Sequence, residues 1–244
     1  MQEWGDEAIV LAARAHGEGG GIVTLLTPQS GRVAGYIHGI SKLKKNGGVD
    51  PGTLVEARWQ ARLAEQMGRF DLEVMRVYSA QVLHDQARLS ALASACALCA
   101  DTLPERQATP SLYHGLKALL EALGGDYWAV SYIAWEIALL GELGFALDFS
   151  RCAVTGESDV VYISPRTGRA VTEAAAGEFK NRLLPIPEFL KPHGDKDRAG
   201  TAQDIETGLL LTGYFLEHWV FAHHTGNMPA SRLRLAQLFA TNKD

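Results

Sequence analysis

Cysteine is scarce in this sequence, and the number of cysteines is odd. The 244 residues contain three, Cys96, Cys99 and Cys152, which excludes the disulfide framework that stabilises many small secreted domains. Cys96 and Cys99 have the spacing of two zinc ligands, but no second pair accompanies them. Because they lie in a stretch rich in alanine and leucine, we interpret both as residues of a hydrophobic core.

The sequence also lacks a long uninterrupted apolar run. The longest candidate, Tyr127–Leu147, is interrupted by two glutamates and two glycines, which favours a buried helix over a membrane span. The first residues have neither the basic region nor the apolar segment of a signal peptide. We therefore expect a cytoplasmic protein that does not interact with a membrane.

The motifs of common enzyme active sites are missing as well. The glycine run Gly17–Gly21 lacks the lysine and the spacing of a phosphate-binding loop, and a hairpin turn explains it. Glu217 and His218 do not form the zinc motif HExxH, because the next histidine follows His218 by five residues. No GxSxG nucleophile motif occurs. We therefore predict that the protein is not an enzyme.

Finally, the sequence has no excess of positive charge. Lysine and arginine number 23 against 28 acids, a net charge of −5, which would argue against nucleic-acid binding if the charges were spread evenly. They are not, because the window from Arg32 to Arg62 carries a net charge of +4 and the rest of the chain −9. A basic patch on an acidic body is still an electrostatic footprint for a polyanion.

Short strand signals follow one another over the first 78 residues. Segments of alternating or β-branched residues are separated there by turns that contain glycine or proline. The five predicted strands are residues 7–14, 22–27, 33–38, 53–59 and 70–78. A small closed barrel arranges five antiparallel strands without leaving long open edges.

The periodicity changes to that of helices after residue 79. We predict helices at 81–103, 111–123, 127–144, 203–224 and 229–241, and a charged loop at 195–198. Helix signals lapse in an irregular insertion at about 145–192. The predicted fold class is therefore α+β, with a barrel domain at 1–78 and a mainly α-helical domain at 79–244.

The positive charge is concentrated between the third and fourth predicted strands, on a predicted loop and the strands beside it. The basic residues in question are Arg32, His38, Lys42, Lys44, Lys45 and Arg58. Barrels of the OB-fold type bind single strands with such cations on phosphates and with aromatic rings stacked on bases. Tyr36 and Trp59 are the aromatic residues nearby. The sequence leaves open whether they stack on bases or pack in the core.

Three segments resemble a known protein family. The first, SGRVAGYIHGISKLKKNGGVDPGTLVEARW at residues 30–59, resembles the N-terminal domain of RecO, a bacterial family of recombination mediators and DNA repair proteins. The second, YIAWEIALLGELGFALDFSRC at 132–152, resembles the helix that leads into the zinc-ribbon-like segment of that family. The third, at 162–171 and 182–187, is similar to the α-proteobacterial type.

The resemblance implies an N-terminal OB-fold, a helical C-terminal domain and a role in DNA repair and homologous recombination at the nucleoid. It implies binding of single- and double-stranded DNA and annealing of complementary strands. With RecR as a partner, such a protein helps to load RecA onto DNA coated by the single-strand-binding protein SSB. The C-terminal tail of SSB is a further partner, and RecF and RecA take part indirectly. The family's DNA-contact positions match Arg32, His38, Lys42, Lys44, Lys45 and Arg58.

One departure from the family concerns its metal. Many members hold a zinc ion with two cysteine pairs, of which this sequence keeps Cys152 alone. One thiolate cannot form a tetrahedral site. We therefore predict that the zinc-ribbon-like insertion is free of metal, and we predict no cofactor.

Two alternatives share these features. A non-catalytic adaptor would bind protein partners with the helical domain and RecR with the barrel, and it would not bind DNA on its own. An OB-fold RNA-binding factor would have the same basic footprint but would prefer RNA in competition.

The acidic SSB tail ends in an apolar residue and needs a groove with a basic rim, for which Arg88, Lys117 and Arg182 are candidates.

Overall fold

The computed structural model of the chain describes residues 2–45, 47–63, 66–194, 199–223 and 226–240. The chain forms two compact units, residues 1–124 and 125–244. The first unit contains a five-stranded barrel and two long helices, and the second contains the remaining long helices and a small sheet.

Five strands form a closed barrel in the first unit. They are β1 (Gln2–Ala15), β2 (Gly20–Thr27), β3 (Gly31–His38), β4 (Thr53–Ala61) and β5 (Arg69–Val77). Their order is β1–β2–β3–β5–β4, and β4 pairs back onto β1. The β3–β5 pair is parallel and the other four are antiparallel, the arrangement of an OB-fold. The predicted α+β fold with an N-terminal OB-fold is thus confirmed.

Alternate residues of each strand fill the interior of the barrel. On β3, Val33, Gly35 and Ile37 are buried, whereas the residues between them are partly exposed on the outside. The interior is completed mainly by aliphatic residues of the other strands, Ala8, Val10, Val23, Leu25, Val55 and Ala57. An irregularity interrupts the β1–β2 register between Val10 and Ala12, just beyond Ile9, the last residue of β1 that pairs with β4.

The helix α2 (Gln86–Thr102) follows the barrel and packs on β1. Asp85 begins the helix, because its carboxylate accepts hydrogen bonds from two N–H groups of the first turn. Cys96 and Cys99 are fully buried in this helix as free thiols, and burial raises the pKa of Cys96 to about 12. Their interpretation as core residues is confirmed.

The helix α3 (Pro110–Ala122) is attached to the barrel by a polar contact. The Glu7 carboxylate on β1 accepts a hydrogen bond from the Tyr113 hydroxyl at 2.5 Å and one from the Lys117 ammonium at 2.7 Å. Because α2 and α3 belong to the same compact unit as the barrel, that unit continues past residue 78, one residue after the last barrel strand ends at Val77. The domain boundary at residue 78 stays a prediction.

Three long helices lie in the second unit: α4 (Trp128–Glu142), α6 (Ala202–Phe215) and α7 (Ala230–Phe239). Beyond Phe215 the helical path continues with π and then 3₁₀ geometry to His223. None of the helices that the structure describes is both long and apolar enough to cross a bilayer. The predicted charged loop at 195–198 and the predicted helix ends at 224 and 241 lie outside the described residues.

The insertion at about 145–192 contains a sheet of three short strands. β6 (Val160–Ile163) lies between β7 (Ala170–Thr172) and β8 (Leu184–Pro185) and is antiparallel to both. A single helical turn, α5 (Glu173–Ala176), follows β7. The sequence does not predict β7 or β8, because runs of two or three residues are too short to show a periodicity.

A buried ion pair joins α4 to α7. Arg232 Nε lies 2.5 Å from Glu136 Oε1, and Arg232 Nη2 lies 3.0 Å from Glu136 Oε2. The two side chains are 2% and 0% exposed. The hydroxyls of Thr212 on α6 and Tyr132 on α4 also donate to this carboxylate, at 2.5 and 2.7 Å. Glu136 therefore connects the three long helices of the second unit.

Replacing Arg232 with methionine should destabilise the protein strongly. The change leaves the Glu136 carboxylate buried without its cation, which costs about 3–5 kcal/mol, and chemical denaturation followed by circular dichroism measures the loss. In the double variant Glu136→Leu/Arg232→Met neither charge remains, so most of the stability should return. A double variant as unstable as Arg232→Met alone would contradict this account.

Candidate nucleic-acid interface

The lysine-rich segment after β3 forms a short helix, α1 (Ile40–Lys45), and not the predicted loop. Ile40 is 3% exposed and Leu43 packs against the same barrel core, and residues three apart share one face of a helix. Burial of this apolar face explains why the segment is helical despite its neighbouring turn residues. Before α1, the Gly39 N–H donates to the Gly19 carbonyl at 2.8 Å, which places α1 beside the β1–β2 turn.

The solvent side of α1 carries a concentrated positive charge. Lys42, Lys44 and Lys45 are all exposed. Within the described part of the chain, no acid lies within ion-pair distance of these three ammonium groups. Their charge is therefore available to an external anion. Asn46, which follows, lies outside the described residues.

Tyr36 and His38 lie on the outside of β3, next to α1. Their ring centroids are 4.8 Å apart and the rings are nearly perpendicular, at 84°. Tyr36 is partly exposed and His38 is exposed. The Tyr36 ring lies over Gly20 of β2, where a side chain would collide with it. Tyr36 is thus an outer-surface residue, and one of the two possibilities left open for it, packing in the core, is excluded.

Two arginines that sequence reasoning missed lie on the same outer surface. Arg14 on β1 pairs with Ile22 on β2, which pairs with Tyr36, and Tyr36 pairs with Arg69 on β5. Both arginines are exposed. No signal in the sequence brings them together, because their proximity comes from the strand order of the closed barrel. We call Arg14, Tyr36, His38 and Arg69, together with the buried Ile22 between them, the β2–β3 face.

Arg32, a predicted contact residue, lies at the other end of β3 and has protein partners. Its Nε donates to the carbonyl of Leu103 at 2.7 Å, and its own carbonyl accepts the N–H of Arg106 at 2.8 Å. Its side chain is partly buried. Arg32 therefore attaches the segment between α2 and α3 to the barrel.

Arg58, the remaining predicted residue, has acidic surroundings. It is exposed on β4, opposite Gly5 on β1 and Asp71 on β5. The next outward pair on these strands is Glu56 and Glu73. The structure thus brings together His38 and the three lysines of α1, and it places Arg32 and Arg58 elsewhere on the barrel.

Trp59, the other aromatic residue that the sequence left open, lies in the core. It is 3% exposed, and its Nε1 donates to the carbonyl of Met67 at 3.0 Å. The ring stacks on Trp4 of β1, with centroids 5.9 Å apart. Trp59 therefore has no free face comparable with that of Tyr36.

Cys152, the cysteine that the resemblance relates to a zinc-ribbon-like segment, is a free thiol in the insertion. Its thiol is 3% exposed and accepts hydrogen bonds from Thr155 N–H at 3.5 Å and the Thr172 hydroxyl at 3.7 Å. Burial raises the pKa of this thiol, but the hydrogen bonds outweigh burial and lower it to about 6. In the part of the chain that the structure describes, no group of three or more His, Cys, Asp or Glu residues could hold a metal ion.

Comparison with known proteins gives matches over nearly the whole chain. Residues 1–78 match the family model described as recombination protein O N terminal, and residues 83–227 match that described as recombination protein O C terminal. Curated relatives carry the name "DNA repair protein RecO". That of Rhodospirillum centenum is 45% identical over 240 residues, 97% of this chain and 94% of the relative. The Rhodospirillum rubrum protein is 44% identical over 244 residues (97% and 96%), and the Caulobacter vibrioides protein 41% over 241 (98% and 98%).

Replacing Arg32 with alanine should reduce the free energy of unfolding by more than it reduces the free energy of DNA binding. The variant loses a charge-assisted hydrogen bond between β3 and the segment after α2, which is worth about 1.5 kcal/mol or more. Denaturation curves measure this loss, and Arg58→Ala is the matched control, because Arg58 is exposed. Unchanged stability together with a clear loss of DNA affinity would make Arg32 a DNA contact instead.

Proposed function

Because this chain belongs to the RecO family of DNA repair proteins, we propose that it is a recombination mediator that binds single- and double-stranded DNA and anneals complementary strands. Together with RecR it would help to load RecA onto DNA coated by SSB, with RecF as an indirect partner. A role in DNA repair is that of the family, whereas the DNA contacts and partners are our proposal. Such a protein would work at the nucleoid.

The observation that carries the proposal is the solvent side of α1. Lys42, Lys44 and Lys45 are exposed on one short helix that is fixed by the buried Ile40. Lysines without acidic partners neutralise phosphates and release counterions, and this provides affinity that does not depend on sequence. A mediator needs such affinity, since damage and recombination occur at any sequence.

The β2–β3 face supports contact with a single strand. OB-folds bind oligonucleotides on this side of the barrel, and here the face combines the partly exposed Tyr36 ring and the exposed His38 ring with the exposed cations Arg14 and Arg69. Aromatic rings bind unpaired bases of any type, because every base has a π face. The face thus extends the phosphate contacts of α1 toward the bases.

Strand annealing is compatible with this mode of binding. Phosphate contacts position a strand without reading its base edges. A strand held mainly by α1 therefore keeps most of its Watson–Crick edges free to meet a complementary strand. The reduced charge of the neutralised backbone also lowers the repulsion between the two strands. The proposed activity needs no covalent step.

A groove in the second unit supports a role for the tail of SSB. It lies beside α6, where Leu210 is 62% exposed, and its lining residues are Leu184, Pro185, Gln203, Glu206, Thr207, Leu210, Leu211 and Tyr214. An apolar residue at the end of a peptide can be buried there. Three basic residues were candidates for the rim of this groove. Arg88 pairs with Asp85 and Lys117 pairs with Glu7, all in the first unit. Arg182 is exposed and lies two residues before Leu184, which lines the groove.

The triple variant Lys42→Ala/Lys44→Ala/Lys45→Ala should bind single-stranded DNA more weakly and with a smaller dependence on salt. Each phosphate contact to a single strand contributes about 0.7 to the slope of log K against log salt, so the slope should fall by about 2. Fluorescence anisotropy with a labelled oligothymidylate over a series of salt concentrations measures both quantities.

The control for this experiment removes the same charge from the second unit. Arg151, Arg166 and Arg234 are exposed there, and their triple alanine variant should keep the wild-type slope. Equal slopes for the wild type and the lysine variant would show that α1 does not hold the phosphates.

Replacing Leu210 with aspartate should weaken binding of a peptide with the sequence of the SSB tail. The change puts a charge in the apolar groove and removes an apolar contact worth about 1.5 kcal/mol or more, so we expect affinity to fall about tenfold or more. Isothermal titration calorimetry with the peptide measures this. Leu238→Asp is the matched control, because Leu238 on α7 is 42% exposed and does not line the groove. Equal losses in both variants would exclude the groove as the site.

A further inference from the structure

Two stacked tryptophans occupy the end of the barrel opposite α1. Trp4 and Trp59 are directly paired across β1 and β4, and their rings are 5.9 Å apart with an angle of 17° between the planes. Phe70 supports Trp4 from the side, edge-on at 5.8 Å. Trp59 is 3% exposed, whereas Trp4 is partly exposed. The Trp4 ring is therefore accessible to solvent on one side and is supported on the other by the buried Trp59 ring.

A pocket of about 280 Å³ opens beside this ring, and we call it the mouth pocket. Its apolar surface comes from two tryptophans and a valine, and its rim from amide, hydroxyl and guanidinium groups. The lining residues are Gln2, Trp4, Gln29, Ser30, Val33, Trp59 and Arg106. Aromatic walls with a few hydrogen-bonding groups at the edge are what a nucleobase requires.

Arg106 is held at this pocket in a strained conformation. Among the residues that the structure describes, it is the one non-glycine with a positive φ, at 59°, a conformation that costs of the order of 1 kcal/mol. Its N–H is fixed by the Arg32 carbonyl, and its guanidinium carbon lies 5.6 Å from the centre of the Trp59 ring. The surrounding structure therefore maintains a cation beside the tryptophan pair at some cost in stability.

The segment before β5 joins the mouth pocket to the β2–β3 face. Three consecutive carbonyls there accept hydrogen bonds, and their donors come from both surfaces. Gln66 O accepts from Arg106 Nη2 at 2.5 Å, Met67 O from Trp59 Nε1 at 3.0 Å, and Gly68 O from the N–H of Tyr36 at 3.0 Å. A strand that crosses the β2–β3 face can thus continue directly to the mouth pocket.

We propose that the mouth pocket binds an unpaired base of single-stranded DNA by stacking on Trp4, with Arg106 supplying positive charge for the neighbouring phosphate. The inference rests on the proposed DNA binding and adds a second contact to it. β3, with eight residues, spans roughly 26 Å between the pocket and α1. Strands of several nucleotides are needed to reach both, within the range of about 4–16 that an OB-fold covers.

The test compares two oligonucleotides that differ in their bases alone. One is a labelled 15-mer of thymidine, and the other is a 15-mer of abasic sites with the same phosphates. The full-length variant Trp4→Leu keeps an apolar side chain over Trp59, and Trp4→Phe keeps an aromatic ring. Stacking on one aromatic side chain is worth about 1–3 kcal/mol, so Trp4→Leu should bind the thymidine strand about 5- to 150-fold more weakly.

Three results together are expected if Trp4 is a stacking platform. Trp4→Leu binds the abasic strand as the wild type does, Trp4→Phe recovers most of the affinity for thymidine, and circular dichroism shows both variants folded. Thymidine binding by Trp4→Leu at wild-type strength would overturn the proposal. An equal loss on both strands, or a Trp4→Phe variant as weak as Trp4→Leu, would overturn it too.

Arg106→Gly tests the second part of the site. Glycine adopts a positive φ without strain, which offsets part of the loss of the guanidinium contacts to the Gln66 carbonyl and the Glu105 carboxylate, so this variant should stay folded while its affinity for both strands falls. Unchanged affinity for both strands would remove Arg106 from the site.

If the lysines of α1 do not bind phosphates, the experiments give a result that differs from failure of the mouth-pocket proposal. In that case the triple lysine variant keeps wild-type affinity for both strands, whatever Trp4→Leu shows. A base-dependent loss in Trp4→Leu with no effect of the lysines would leave the mouth pocket as the primary contact.

Discussion

The closure of the barrel between β3 and β5 is the constraint on which the rest of the first unit depends. The two strands are paired through Tyr36 and Arg69, and the Tyr36 N–H donates to the Gly68 carbonyl. Without this parallel pair, two strands would expose unsatisfied backbone groups along their edges. With this pair the sheet closes into a barrel, and different residues cover its two ends. Ile40 of α1 enters the core at one end and Trp4 stacks on Trp59 at the other, so the candidate DNA contacts are attached to the barrel core itself.

Positive charge has two different uses on this barrel, and hydrogen-bond partners distinguish them. Arg32 lies in the basic window, yet its guanidinium is bound to the Leu103 carbonyl and fixes the chain that leads to Arg106. Lys42 and Lys44 lie close by in sequence but are exposed on a helix whose other side is buried. A formal count of charges treats these residues as equivalent. Their environments make the arginine part of the scaffold and leave the lysines available to phosphates.

The fold was largely predictable from sequence because strand alternation and glycine-containing turns are local signals, and all five barrel strands produce them. The helix α1 was not predictable, because a segment of six residues with three lysines shows no clear periodicity. It is helical because Ile40 is buried against the barrel. The candidate site was predictable in part. His38 and the lysines are neighbours in sequence. Arg14 comes near Tyr36 only through the pairing of β1 with β2 and of β2 with β3, and Arg69 only through the pairing of β3 with β5. Contacts of that kind depend on topology and on no local pattern.

The acidic excess of the chain bears on how DNA would orient on the barrel. The outer surface of β4 and β5 carries Glu56 and Glu73 beside Arg58, and Asp71 there lies 3.9 Å from Arg69. The two glutamates would repel a polyanion at separations below about 10 Å at 0.1 M salt. The lysines of α1 attract the same polyanion. A barrel with opposite charge on two sides aligns a strand before contact, because the unfavourable side excludes competing orientations. This local arrangement of charge, more than the net charge of −5, would favour the proposed binding of DNA at α1.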